Sequence, residues 1–294
     1  MENSQTPSRI LVPIDYSEQS HIALEQAVNL SKVFHSEIHL LNVIEDDLFH
    51  KVFSADDSAE IKTKVQGKLQ ALVNEVAEKH GIKVESHVVM GKIYDQVASL
   101  GEALNVDFVV MGTNGSVGLK KKFIGSNALR VVRESKHPVI TIKGKLHRKG
   151  CQNIVLPLDL TKETREKVGQ AIEFAKKFGS IVRIVSVLQT SDEFVVNRLT
   201  RQLDQAKKYI MEHGVDCTAE IIRDTKGENT LAESILDYSN KIKGDLIMIM
   251  TQQEEDFTEF FIGSAAQEII NTSDIPVLSI TPKPRKDTTV FVPY

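Results

Sequence analysis

The chain repeats itself. Arg9-Ile10-Leu11-Val12-Pro13-Ile14-Asp15 returns as Asn153-Ile154-Val155-Leu156-Pro157-Leu158-Asp159, and Asp107-Phe108-Val109-Val110-Met111 as Asp245-Leu246-Ile247-Met248-Ile249-Met250. Phe123-Ile124-Gly125-Ser126 returns as Phe261-Ile262-Gly263-Ser264, and His137-Pro138-Val139-Ile140 as Ile275-Pro276-Val277-Leu278. Asp15 and Asp159 stand 144 residues apart and Gly125 and Gly263 stand 138 apart, so the halves differ by about one short loop. A duplicated pattern folds twice. We expect domain 1 over 1–144, domain 2 over 151–284 and a tail over 285–294, each domain long enough to bury its own core. The polar, basic, glycine-flanked stretch Lys143–Gly150 is the linker.

Within each half, short apolar runs alternate with amphipathic ones. The pattern predicts strands near 9–14, 37–43, 83–89, 107–111 and 139–143, with helices near 18–34, 58–80, 93–104 and 126–135. In the second half it predicts strands near 153–158, 181–187, 216–222, 245–250 and 277–280, with helices near 162–178, 192–213, 230–242 and 264–272. Ala23, Ala27, Leu30 and Phe34 lie on one face of the first helix, and Ser17 is its N-cap. Strands this apolar need cover on both faces, which means α/β, parallel sheets and right-handed helical crossovers. A loop is expected over 45–57, and the tail from Thr281 reads as disordered in preference to pairing with a sheet edge.

The candidate site follows the fourth strand. Met111-Gly112-Thr113-Asn114-Gly115 is followed, nine residues on, by Gly125-Ser126-Asn127, where a helical pattern opens. A glycine-rich turn from strand to helix offers free N–H groups and a positive helix end to an anion. Lys120, Lys121 and Lys122 add positive charge, or else form a solvated loop face. In an open parallel sheet, ligands sit beyond the C-terminal strand ends where the strand order reverses. Asp15, after Pro13 and Ile14, ends the first strand and can accept from ribose hydroxyls or an exocyclic amine, which suggests a nucleotide. Asp15 also has a structural reading as a helix-flanking cap, since it recurs as Asp159. Val43 offers an apolar wall or backbone contacts to the base, and Gly91 lets a ring approach the backbone.

Gly112-x2-Gly115-x9-Gly125-Ser126, with the Val12-Pro13-Ile14-Asp15 strand end, resembles the universal stress protein family, in tandem and over almost the whole chain. The resemblance implies two doubly wound five-stranded parallel sheets of strand order 3-2-1-4-5, a Rossmann-like, adenine nucleotide alpha-hydrolase-like fold. It implies ATP as the ligand (Mg2+ alongside, AMP or ADP as variants), with Asp15, Gly112, Gly115, Gly125 and Ser126 at the nucleotide. Pro13, Ile14, Val43, Gly91, Met111, Asn114 and Asn127 are their expected neighbours. It also implies an intramolecular pseudo-dimer through the fifth strands, with a homodimer of chains as a further step. The role expected is stress-response nucleotide binding as a regulatory ligand. The alternatives are slow ATP hydrolysis, for which no base or arginine finger stands out, and an interaction protein with a vestigial site.

The second half departs from this pattern. Thr251 is read at the position of Gly112, and Glu254, Glu255, Asp256 and Glu259 replace the three lysines. Like charges a few ångströms apart repel by about 1–4 kcal/mol near a surface. Only the N-terminal half is therefore expected to bind nucleotide. The remaining composition is that of an ordinary globular chain, 41% hydrophobic and 26% charged, and its net charge of −4 gives no argument for nucleic acid or anionic membranes, neither of which is expected as a partner. No apolar run approaches the roughly 20 residues of a membrane span, and residues 1–9 lack a signal-peptide core, so the expected compartment is cytoplasmic. Cys151 and Cys217 read as structural or incidental. No metal site is expected: His35 and His39 bracket a strand start, and His80, His87, His137 and His213 read as surface or capping residues near element ends.

Overall fold

A computed structural model describes residues 7–45, 55–113, 126–144, 150–159, 164–224, 227–253, 260–261 and 263–281. Asn114, Gly115, Lys120–Lys122, Gly125, the carboxylates of 254–259, and most of the linker, the 45–57 loop and the tail lie outside these residues. The chain divides into two compact units, residues 1–149 with 270–276 and residues 150–269 with 277–294.

The first unit runs β1 (Arg9–Pro13), α1 (Glu18–Phe34), β2 (Glu37–Ile44), α2 (Ala55–His80), β3 (Val84–Met90), α3 (Ile93–Leu104), β4 (Phe108–Gly112), α4 (Ser126–Glu134) and β5 (Val139–Ile142). Its strands lie parallel in the order β3-β2-β1-β4-β5. The second unit runs β6 (Asn153–Pro157), α5 (Thr164–Phe178), β7 (Ile181–Leu188), α6 (Glu193–Glu212), β8 (Cys217–Arg223), α7 (Leu231–Lys241), β9 (Leu246–Met250), β10 (Gln252–Gln253), β11 (Phe260–Phe261), α8 (Ser264–Thr272) and β12 (Val277–Ile280). Its parallel strands run β12-β9-β6-β7-β8, the same order reversed. Both units are doubly wound α/β domains. The antiparallel pair β10–β11 was not expected; two residues per strand carry no periodicity to read.

Local chemistry sets the element ends. Ser17 caps α1, its hydroxyl accepting from the Ser20 N–H at 3.2 Å, and His35 closes the helix in the left-handed region at φ 54°. Ala23, Ala27 and Leu30 are buried as their spacing predicts, and Phe34 meets Phe108 edge-on at 5.2 Å. Thr230 and Glu233 form a capping box at the start of α7. Asp107 and Asp245 perform one task twice. Asp107 accepts from the Arg9 N–H at 2.8 Å, and Asp245 accepts from the N–H groups of Gln152 and Asn153 at 2.9 and 3.0 Å. Each tethers the start of its unit's first strand to the strand that will lie beside it.

The core fills both faces of the central strands: Ile10, Leu11, Val12, Leu40, Leu41, Val109 and Val110 are wholly buried. The outer strands differ from the uniformly apolar reading. Every residue of β3 is half-exposed, and β8 alternates between exposed and covered positions. On β3, Ser86 faces Gln70 of α2, so Glu85 and His87 face the other way, the side on which Gly101 of α3 meets Leu11. His87 is therefore a mid-strand residue, not an element-end cap, and His39 is 2% exposed within β2. His213 does cap, its Nδ1 2.7 Å from the Tyr209 carbonyl oxygen.

Candidate functional site

β1 and β4 are neighbours, paired Ile10 to Phe108 and Leu11 to Val109, and from β1 the chain proceeds to β2 on one side while β4 lies on the other. This is the switch point of the sheet, and the crevice lies beyond the C-terminal ends of β1 and β4. The β2–β3 register pairs Val43 with Val89, and extending the β1–β2 register by two residues and the β1–β4 register by four brings Asp15 and Thr113 onto the same row across the sheet.

Asp15 is exposed, and its Oδ1 accepts from the Ser17 N–H at 2.9 Å. One oxygen of this carboxylate thus steadies the helix entry, as the structural reading expects, and the residue is exposed at the strand end. Between them Tyr16 sits at φ 63°, the only left-handed non-glycine residue among those described that does not follow a helix. Such a conformation costs about 1–3 kcal/mol and collects at ligand sites. Its ring lies under Lys68 Nζ at 3.7 Å, burial raises its phenol pKa, and its buried hydroxyl has no partner among the described residues.

Gly112 has a packing reason for being glycine. A Cβ there would stand 2.8–2.9 Å from the carbonyl carbon, oxygen and Cβ of Gln19. Only a bare backbone lets β4 end so close to the first turn of α1. Thr113 follows, 2% exposed, with an Oγ1 that has no partner among the described residues. Gly91 closes β3 at φ 136°, donating its N–H to the Ile44 carbonyl at 3.0 Å. Ser126, exposed, and Asn127, half-buried, open α4. Ile14 and Met111 point into the core instead. Ile14 also spends its backbone internally: its N–H donates to the Leu41 carbonyl at 2.8 Å, and its carbonyl accepts from Asn42 Nδ2 at 2.7 Å. Pro13 and Val43 are half-exposed beside them. Tyr16 and Thr113 were not singled out from the sequence, since neither a positive φ nor an orphaned hydroxyl leaves a trace in composition.

The second unit corrects one reading. Val109 pairs with Val139 and Gly112 with Ile142; Ile247 pairs with Val277 and Met250 with Ile280. The residue at the position of Gly112 is therefore Met250, and Thr251 corresponds to Thr113, each donating its N–H to the last carbonyl of the neighbouring strand, Ile142 or Ile280. The change is larger than a threonine would make it, because a buried methionine side chain, 7% exposed, occupies the level where the first unit has none. At the end of β6, Lys167 takes the place held by Ala23 in the first unit, and its Nζ donates to the Pro157 carbonyl at 3.1 Å. The Thr251 hydroxyl, unlike that of Thr113, donates to Ile280 O at 3.3 Å. This strand end is filled from within.

Doubly wound units with a glycine-bearing switch-point crevice form a recurrent class of nucleotide-binding α/β domain. The sequence profile of the universal stress protein family matches residues 7–143 and again 150–280, and the chain belongs to that family as a tandem member. Universal stress protein MJ0531 of Methanocaldococcus jannaschii is 31% identical over 140 residues, covering 46% of this chain and 81% of that protein. The crystal structure of a universal stress protein from Archaeoglobus fulgidus superposes with a TM-score of 0.72 at 22% identity, covering 94% of this chain and 99% of that one. A universal stress protein from Archaeoglobus fulgidus solved in complex with dAMP matches 44% of this chain and 97% of its own at 21% identity and a TM-score of 0.38.

Proposed function

We propose that the N-terminal unit binds an adenine nucleotide, ATP by preference, as a regulatory ligand, and that the C-terminal unit does not. The observation that carries this is the switch-point row, where exposed Asp15, half-exposed Val43 and the Thr113 hydroxyl, which has no partner among the described residues, stand level at the mouth of the Gly112 turn. The residues present fit the ligand. An exposed carboxylate suits ribose hydroxyls or an adenine amine, an apolar wall suits the base, and a turn without a Cβ suits phosphate. Phosphate would fall to the Gly112-x2-Gly115-x9-Gly125-Ser126 segment and the N-terminus of α4, where first-turn N–H groups and the helix dipole favour an anion. Met250 and Lys167 support the asymmetry, since they occupy space and hydrogen-bonding capacity at the equivalent end of the second unit.

The test is nucleotide analysis of heat-denatured, freshly purified protein, followed by calorimetric ATP titration of the wild type and Gly115→Val. About one adenine nucleotide per chain, with binding lost in the variant, is the expected result. Two equivalent sites per chain, or binding unchanged in Gly115→Val, would refute it.

A further inference from the structure

β2 and β3 each carry Glu-x-His, Glu37-Ile38-His39 and Glu85-Ser86-His87, and their register pairs His39 with Glu85 and Leu41 with His87. Alternation then places all four polar side chains on one face of the sheet. His39 Nδ1 lies 3.0 Å from His87 Nε2 and 3.6 Å from Glu85 Oε2, and the three donor atoms fall within 4.8 Å of one another. Donor atoms bound to one tetrahedral zinc ion at about 2.0–2.1 Å stand about 3.3 Å apart. We infer that His39 Nδ1, His87 Nε2 and Glu85 Oε2 form a binding site for a divalent transition cation of the zinc type, with its fourth position open to solvent.

The surroundings supply what such a site needs. His39 is 2% exposed, and its Nε2 has no hydrogen-bond partner among the described residues, although Glu37 Oε2 lies 3.9 Å away. A cation on Nδ1 fixes the tautomer with the proton on Nε2, aimed at Glu37, the carboxylate–histidine–metal arrangement that orients ligating imidazoles. The cation takes the place of the proton shared between the two rings, and His87 carries its own proton on Nδ1. Two positive groups also face the cluster. Lys83 Nζ holds Glu37 Oε1 at 2.9 Å and Glu85 Oε1 at 3.0 Å, and Arg9 Nε lies 3.8 Å from Glu37 Oε2. Lys83 thus engages the Glu85 oxygen away from His39 and leaves Oε2 for the metal. Two nitrogens and one carboxylate oxygen favour zinc, copper, nickel or cobalt over magnesium or calcium. His39 sits four residues before Val43 on β2, about 13 Å along the strand, so the site is separate from the crevice.

The test uses the untagged full chain, stripped of metal, with Zn2+ in competition with a chromophoric chelator and Co2+ read by its visible absorption. The wild type should bind one Zn2+ per chain, with a tetrahedral Co2+ spectrum and no competition from millimolar Mg2+. His87→Gln should weaken zinc binding at least a hundredfold and abolish the Co2+ band, Glu37→Gln should weaken it about tenfold, and His213→Gln should match the wild type. Glu85→Gln, at a half-exposed position, carries the test if His87→Gln does not keep its circular dichroism. No zinc bound by the wild type, or equal affinity in wild type, His87→Gln and Glu85→Gln, overturns the assignment.

Discussion

Gly112→Ala isolates one methyl group at the junction of β4 and α1. The added Cβ would stand 2.8 Å from the carbonyl carbon of Gln19 and 2.9 Å from its carbonyl oxygen and Cβ. Two of these three atoms are backbone, in a helix whose next turns, Ala23 and Ala27, are fully buried, so α1 cannot yield by rotating a side chain. Overpacking of this kind costs about 1–3 kcal/mol. In a domain of this size that lowers Tm by roughly 3–10 °C. Differential scanning calorimetry of the full chain reads it, with the loss confined to the transition of the first unit, because the two units need not unfold as one. ATP titration of the same variant reads the second consequence, a weaker affinity, since the displaced turn opens the phosphate segment. At the matching level of the second unit, Met250→Ala acts in the opposite sense, emptying a filled space at about 2–5 kcal/mol. A Gly112→Ala transition within about 1 °C of wild type would refute the reasoning, since a clash of one carbon with backbone has no smaller cost to show.

Other perturbations read other parts of the molecule. Asp245→Ala removes the acceptor of two backbone N–H groups and should destabilise the second unit by about 1.5–3 kcal/mol in urea unfolding. His137 has a pKa lowered chiefly by burial, so the unfolded chain binds the proton more readily; its contribution to stability is complete above its ordinary value of 6.5 and falls as pH drops below it. Urea unfolding between pH 5 and 7.5 should show this slope, reduced in His137→Gln; a slope unchanged by the substitution sinks the assignment. The Cys217 thiol is pushed up to about 11 by burial, so native protein at pH 8 should alkylate there about a hundredfold more slowly than an ordinary thiol, and at the ordinary rate once unfolded.

Much of this was legible in the sequence because repetition and periodicity are local. The strand Arg9–Pro13, the Ser17 cap and the buried face of α1 needed only neighbouring residues to be read. Positions that depend on pairing were not legible. Met250 was misassigned because an apolar run of five was laid against a run of four, and only the hydrogen-bond register with β12 says which residue is level with Gly112. The two Glu-x-His segments were visible, but nothing local says that His39 pairs with Glu85, so His87 looked like a surface residue. Gly112 was read for its ligand, while its constraint by Gln19 lies across the fold.

The half-exposed outer strand β3 has a consequence for the chain's company. A long, open parallel strand is a template on which foreign strands add, and parallel sheets close slowly enough to leave such templates bare during folding. Lys83 and Glu85 stand at its start, paired with each other at 3.0 Å, and Glu85 and His87 break what would otherwise be a run of Val84, Val88, Val89 and Met90. An incoming strand would have to strip water from these charges before it gained a single backbone hydrogen bond. The same polar residues that gather around His39 thus serve as gatekeepers against aggregation, and replacing Glu85 and His87 with valine would remove that protection.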